Sequence, residues 1–157
     1  MYLMLADSYI VPECIVQPRS FGGLMALYEG NYIKLNALIA RLGQCSGHFM
    51  SYTARDCDLQ LIVEERTRYT CLLRLTYLFR VSGNMLADPD LCAKVYFDAK
   101  MCEVWGWAKH HQHEVLRNLD YRYSGELNYR WSRNMMLSKW LDYLLDMGHA
   151  FPARQTR

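Results

Sequence analysis

The chain lacks most of the features by which activities announce themselves. No stretch approaches the roughly 20 consecutive apolar residues of a membrane helix. Charge of one sign is also missing. Lys and Arg number 18 against 16 Asp and Glu, for a formal net charge of +2. Beyond Trp107 there are eight Lys/Arg against five Asp/Glu, a surplus too small to argue for nucleic acid. Proline is scarce, and two of the four, Pro12 and Pro18, fall within the first 20 residues. That segment shows no sustained period and reads as an irregular leader, with a domain over residues 21–151 and a tail over 152–157. Met1 to Ile10 has no basic start and is interrupted by Asp7, so it does not read as a signal peptide.

Reactive motifs are absent as well. There is no GxSxG elbow, no phosphate-binding P-loop, no GxGxxG after a strand and no HExxH. The six cysteines, Cys14, Cys45, Cys57, Cys71, Cys92 and Cys102, include no CxxC pair and fit no common zinc spacing. Scattered thiols of this kind suit a reducing compartment, and the expectation is a cytoplasmic protein. Neither a repeat nor a low-complexity segment breaks the chain.

What is present is pattern. From Leu59 to Phe79 the odd-numbered positions are apolar: Leu59, Leu61 and Val63, then Tyr69, Cys71, Leu73, Leu75, Tyr77 and Phe79. A period of two marks a half-buried strand. The polar interruption Glu64-Glu65-Arg66-Thr67-Arg68 must hold a reversal, because one strand of that length is improbable. Odd positions face odd positions if Val63 pairs with Tyr69 and Leu61 with Cys71, which predicts an odd-length loop or a bulge around Arg66 and places Glu64 opposite Arg68. A first strand is expected over His48–Ala54, a loop over Ser82–Pro89, and a hairpin of Leu91–Phe97 and Met101–Trp107 turning at Asp98-Ala99-Lys100.

Two helical patterns flank these strands. Leu24, Leu27, Tyr28, Asn31, Leu35, Leu38, Ile39 and Leu42 recur at helical spacing, with Ser20 as N-cap and Gly43 as the stop. Leu127 to Met147 forms the second, presenting Trp131, Met135, Leu137, Trp140, Leu141, Leu144 and Leu145, with Gly148 as its stop. The fold expected is α+β: an antiparallel meander of four to five strands with an N-terminal and a C-terminal helix packed on one face.

Chemistry-bearing clusters are few. His110, His111 and His113, followed by Glu114, offer at most two or three metal ligands and read as a solvated connection. Glu64 and Glu65 are adjacent on a strand, point to opposite faces and cannot form a dyad. Tyr121-Arg122-Tyr123 and Tyr129-Arg130-Trp131 interleave rings with cations as single-strand binders do, but Trp131 is in phase with the core of its helix.

Four segments together resemble the YqiB-like family of bacterial cytosolic proteins, a domain of unknown function. These are Leu24 to Tyr32, Val63-Glu64 with Thr67 to Thr70, Val95 to Ala99 with Glu103-Val104, and Trp140-Leu141 with Gly148. The resemblance runs from Phe21 to Phe151 and implies no activity, catalytic residue or cofactor. It does mark a set of polar residues as candidates for binding a ligand or partner: Glu29, Asn31, Glu64, Arg68, Tyr69, Asp98 and Glu103. The leading expectation is a non-enzymatic module that binds a protein or a small ligand, and its edge strands would also allow a homodimer. The alternatives are a hydrolase or transferase, if Glu29, Arg68 and Asp98 or Glu103 converge with one another, and a nucleic-acid binder, if Arg74, Arg80, Arg122, Arg130 and Arg133 share a surface.

Overall fold

The computed structural model describes residues 20–106 and 126–153. The leader and the histidine cluster lie outside them. Seven elements follow in order: α1 (Phe21–Leu38), β1 (Gly47–Ser51), β2 (Asp58–Arg66), β3 (Thr70–Val81), β4 (Asn84–Tyr96), β5 (Met101–Gly106) and α2 (Glu126–Asp146). The strands form one five-stranded sheet in the order β1-β2-β3-β4-β5, every pairing antiparallel. The expected α+β meander is what the chain forms. No helix among the described residues is long and apolar enough to cross a membrane.

The parity pattern does put one face of the sheet in the core. Leu59, Leu61, Cys71, Leu73, Leu75 and Tyr77 are buried, joined by Leu91, Ala93 and Val95 of β4 and Cys102 and Val104 of β5. Leu35, Leu38, Leu137, Trp140, Leu141 and Leu144 of the two helices pack into the same cluster. Both helices therefore cover one face, and no described element covers the other. The contacts between the helices advance in step, Asn31 meeting Asn134 and Lys34 meeting Ser138 and Asp142, so α1 and α2 run parallel.

The register differs from the expected one. Leu61 pairs with Leu75 and Val63 with Leu73, after which a bulge at Glu64 shifts the pairing to Glu65–Leu72 and Arg66–Cys71. The β3 partner of each of these residues thus lies four positions further along the chain than in the tight pairing. Thr67 makes that turn without a glycine: its Oγ1 accepts the Tyr69 and Thr70 amides, and its own amide donates to the Thr70 carbonyl. Four residues separate Arg66 from Cys71, an even number, and the bulge restores the alternation that such a loop would break. Glu64 therefore faces Arg74, at 2.7 Å, rather than Arg68.

Ser82–Pro89 is not a loop. β3 and β4 join through Ser82-Gly83, with φ of 54° and 82°, the left-handed pair of a two-residue type I′ hairpin. Asp88-Pro89 is taken into β4 where the register slips between Thr76 and Leu78, a bulge being one of the places a sheet accepts proline.

Two helix ends obey local rules. Ser20 Oγ accepts the Gly23 amide at 2.9 Å, as an N-cap should. At the C-terminus of α2, Gly148 takes φ of 89°. Its amide reaches the Leu145 carbonyl and the His149 amide reaches that of Leu144, which is a Schellman motif. The exception is the exit of α1, which stops at Leu38 and not at Gly43. Ile39 turns extended to form a parallel bridge with Phe151. Ile39 and Leu42 remain buried, so their helical spacing reflected burial and not helix.

Candidate functional site

The structure scatters most of the sequence-selected residues. Glu64 is exposed at its bulge and paired to Arg74, which also reaches Asp90 at 3.3 Å on the open face. Arg68 lies over the Tyr69 ring, 5.3 Å from its centroid, at the exposed β2–β3 turn. The Tyr69 carbonyl accepts the Phe97 amide of the next hairpin. Asp98 shapes its turn by accepting the Ala99 amide at 2.9 Å. Glu29 is half-buried on α1. Among the described residues, no hydrogen bond or ion pair joins Glu29, Arg68, Asp98 and Glu103 to one another, and no group of three or more His, Cys, Asp and Glu could hold a metal. Of the arginines, Arg74 is held on the open face by Glu64 and Asp90. Arg130 and Arg133 sit on α2, over the covered face, and Arg122 lies outside the described residues.

Asn31 is linked through Asn134 to Val104, the strand residue next to Glu103. Asn31 is fully buried and donates Nδ2 to the Asn134 carbonyl at 3.0 Å. The Asn134 side chain accepts the Val104 amide of edge strand β5 at 2.9 Å and donates to the Arg130 carbonyl at 2.8 Å. An outward-pointing edge amide is thereby satisfied by a helix. Arg130, Arg133 and Asn134 stand at positions i, i+3 and i+4 and so share a face of α2.

Around this junction opens a cleft of about 280 Å³. β5 supplies Glu103, Val104 and Trp105, α1 supplies Tyr28, and α2 supplies Arg130, Arg133 and Asn134. Glu103 accepts the Tyr96 hydroxyl at 2.6 Å. Burial, with that bond to Glu103 behind it, pushes the Tyr96 hydroxyl up to about 12. Burial also raises Tyr28, and Glu103 adds to it, while the charge and hydrogen bond of Arg130 pull the other way. The Tyr28 hydroxyl thus feels both charged walls. Arg133 stacks over the Tyr129 ring, 4.0 Å from its centroid, and donates to its hydroxyl. Trp105 is 60% exposed, and Lys94 sits over both its ring and that of Tyr96.

A second cavity, of about 290 Å³, lies where the exit of α1 meets β1 and the C-terminal segment, with Arg41, Cys45, Phe49 and Phe151 in its wall. Beside it Arg66 donates to the carbonyls of Cys45, Gly43 and Leu42 at 2.8, 2.7 and 2.7 Å. The same guanidinium is 3.7 Å from the Cys45 and Cys71 sulfurs. Burial nevertheless raises the Cys45 thiol and takes Cys71 to about 11, against the pull of Arg66. These are protonated thiols at neutral pH, which makes them poor nucleophiles.

One constellation has the composition of a catalytic triad. Ser51 Oγ is 2.9 Å from His149 Nδ1, and His149 Nε2 is 3.1 Å from Asp56 Oδ2, which also accepts the Tyr77 hydroxyl at 2.6 Å. Ser51 Oγ in turn accepts the Ala150 amide at 3.1 Å. A neutral imidazole carrying its proton on Nε2 satisfies every donor in this chain. Burial raises the Asp56 carboxyl, but hydrogen bonds from His149, Tyr77 and the Cys57 amide outweigh it and leave the group below the ordinary carboxylate value. Ser51 is 4% exposed and His149 2%. No substrate carbonyl reaches a hydroxyl so enclosed, and the network is a strut between β1, β3 and the segment after α2.

Tyr28, Trp105 and Asn134 were not singled out in the sequence. Tyr28 carries a helical core period, and nothing local tells that its hydroxyl ends in a cleft. Arg130 and Arg133 were visible only as cations among aromatics. Asn31 and Asn134 lie 103 residues apart, so no spacing rule relates them.

Comparison with curated proteins and with solved structures finds no match. A family model does match, over residues 34–150. That span holds the two hairpin segments and the Trp140-Leu141 and Gly148 segment of the resemblance, and leaves Leu24 to Tyr32 outside. It covers both walls of the cleft except Tyr28. The chain belongs to the family described as "Protein of unknown function (DUF1249)".

Proposed function

We propose that this protein is a non-enzymatic binding module whose ligand is a small polar molecule held in the cleft between β5, α1 and α2. The bacterial, cytoplasmic setting implied by the YqiB-like resemblance is part of the same reading. The observation that carries it is the mixture of groups lining one cleft: two guanidiniums, a carboxylate, a phenol and an indole. Binding sites combine apolar rings with a few convergent polar groups in this way. The cleft groups rest on β5, α1 and α2, whose mutual position is fixed by the Asn31–Asn134–Val104 hydrogen bonds, and rigid supports make precise sites. A binding role also fits the absence of an accessible nucleophile in the Ser51–His149–Asp56 network.

The test is a thermal-shift and calorimetric survey of small charged and zwitterionic metabolites against the full chain. At least one compound should raise the melting temperature, bind the Arg133→Gln variant about tenfold or more weakly, and be recovered chemically unchanged by mass spectrometry. Equal binding by that variant, or conversion of the compound, would overturn the reading.

A further inference from the structure

The cleft carries both signs of charge and keeps them apart. Arg130 and Arg133 project from α2, Glu103 from β5, and no ion pair joins Glu103 to either arginine among the described residues. Oppositely charged groups that share a small cavity gain by approaching one another. Glu103 and Arg133 are each held by another partner, Tyr96 holding Glu103 through its Oε1 and Tyr129 holding Arg133, while the Arg130 guanidinium is engaged by the Tyr28 hydroxyl. The Tyr28 hydroxyl stands between the two walls, under the influence of both. Glu103 keeps its second carboxylate oxygen unbonded among the described residues.

Resting on the cleft reading above, we infer that the ligand is a zwitterion of the α-amino acid class. Its carboxylate meets the guanidiniums of α2 and its ammonium meets Glu103, with the side chain against the Trp105 ring. A purely anionic ligand, such as a phosphate or a dicarboxylate, would gain from the arginines but lie against the Glu103 carboxylate, whose repulsion works against it. A simple cation would gain from Glu103 and face two guanidiniums. Only a molecule bearing both charges a few ångströms apart satisfies both walls, and charge-assisted hydrogen bonds at each end are the strong kind. The volume of about 280 Å³ is at the small end of ligand cavities, which suits an amino acid better than a dinucleotide.

The experiment titrates the full chain with the proteinogenic amino acids. The tightest is then compared with its two single-charge analogues, the acid without the amine and the amine without the acid, and with inorganic phosphate and succinate. We expect each single-charge analogue to bind about tenfold or more weakly than the amino acid. The Glu103→Gln variant should lose amino-acid affinity while binding the amine-free acid at least as well as the wild type does. If the acid analogue, phosphate or succinate binds as tightly as the amino acid, the cleft is an anion site: the zwitterion inference falls and the cleft reading stands. If none of these compounds binds but another of the surveyed metabolites does, the zwitterion inference falls alone; if nothing in the survey binds, both fall. The analogue comparison uses the unaltered protein, so it decides the matter even if the variant does not fold.

Discussion

Arg66 sits on β2, yet its guanidinium closes the exit of α1. Three carbonyls of the turn after the helix, those of Leu42, Gly43 and Cys45, accept its protons, and its plane lies 5.4 Å from the Phe97 ring centre. A lysine would supply a point charge where a planar fork is needed. The sequence marks the neighbourhood of Arg66 as special because a parity pattern breaks there, but it cannot say that the residue reaches 21 to 24 positions back along the chain. Asp56 is a second residue whose meaning is set by distant partners. Its carboxyl is lower in the folded chain than the ordinary value near 4. A depressed carboxylate stabilises the fold fully above the unfolded value, and that contribution disappears as pH falls through the folded one. Urea unfolding from about pH 6 to pH 3 should therefore show stability falling on acidification, and the Asp56→Asn variant should fall less steeply while losing about 2 kcal/mol at neutral pH.

At the scale of elements, the C-terminus of α2 is fully accounted for. The carbonyls of Tyr143, Leu144 and Leu145 accept the amides of Met147, His149 and Gly148, and Arg55 donates to that of Asp146. Gly148 makes the closure possible, because its φ of 89° is one that other residues adopt at a cost. A Cβ added there would meet nothing closer than Thr53 Oγ1 at 3.9 Å. The Gly148→Ala variant should thus lose about 1 kcal/mol in chemical denaturation through conformation alone, with the cleft unaffected. This stop was legible because a Schellman end is written in adjacent residues. The Ser82-Gly83 hairpin was not, since Asp88-Pro89 a few positions on has the composition of a loop and only strand pairing decides that it becomes a bulge. The exit of α1 was misread for the same reason: its apolar spacing continues to Leu42, while the backbone leaves the helix to meet Phe151.

For the whole molecule, that meeting joins the exit of α1 to the segment after α2. Phe151 is buried among the largest core side chains, donates its amide to the Leu38 carbonyl, and accepts the Ala40 amide at its own carbonyl. Phe151→Ala should cost about 4 kcal/mol in a urea titration, as truncations of buried aromatics do, and the loss should exceed that of Gly148→Ala. The layer architecture was readable because burial imposes a period on every element. The cleft was not, because its walls come from elements at opposite ends of the sequence and no period relates Tyr28 to Arg130. The parallel helices carry a consequence for how the chain is made. During synthesis α1 leaves the ribosome before its partner α2, with the whole meander between them. The face of α1 that waits carries Asn31 and Lys34, which later meet Asn134, Ser138 and Asp142. These polar contacts, which match the two helices position by position, can form only once α2 has been made.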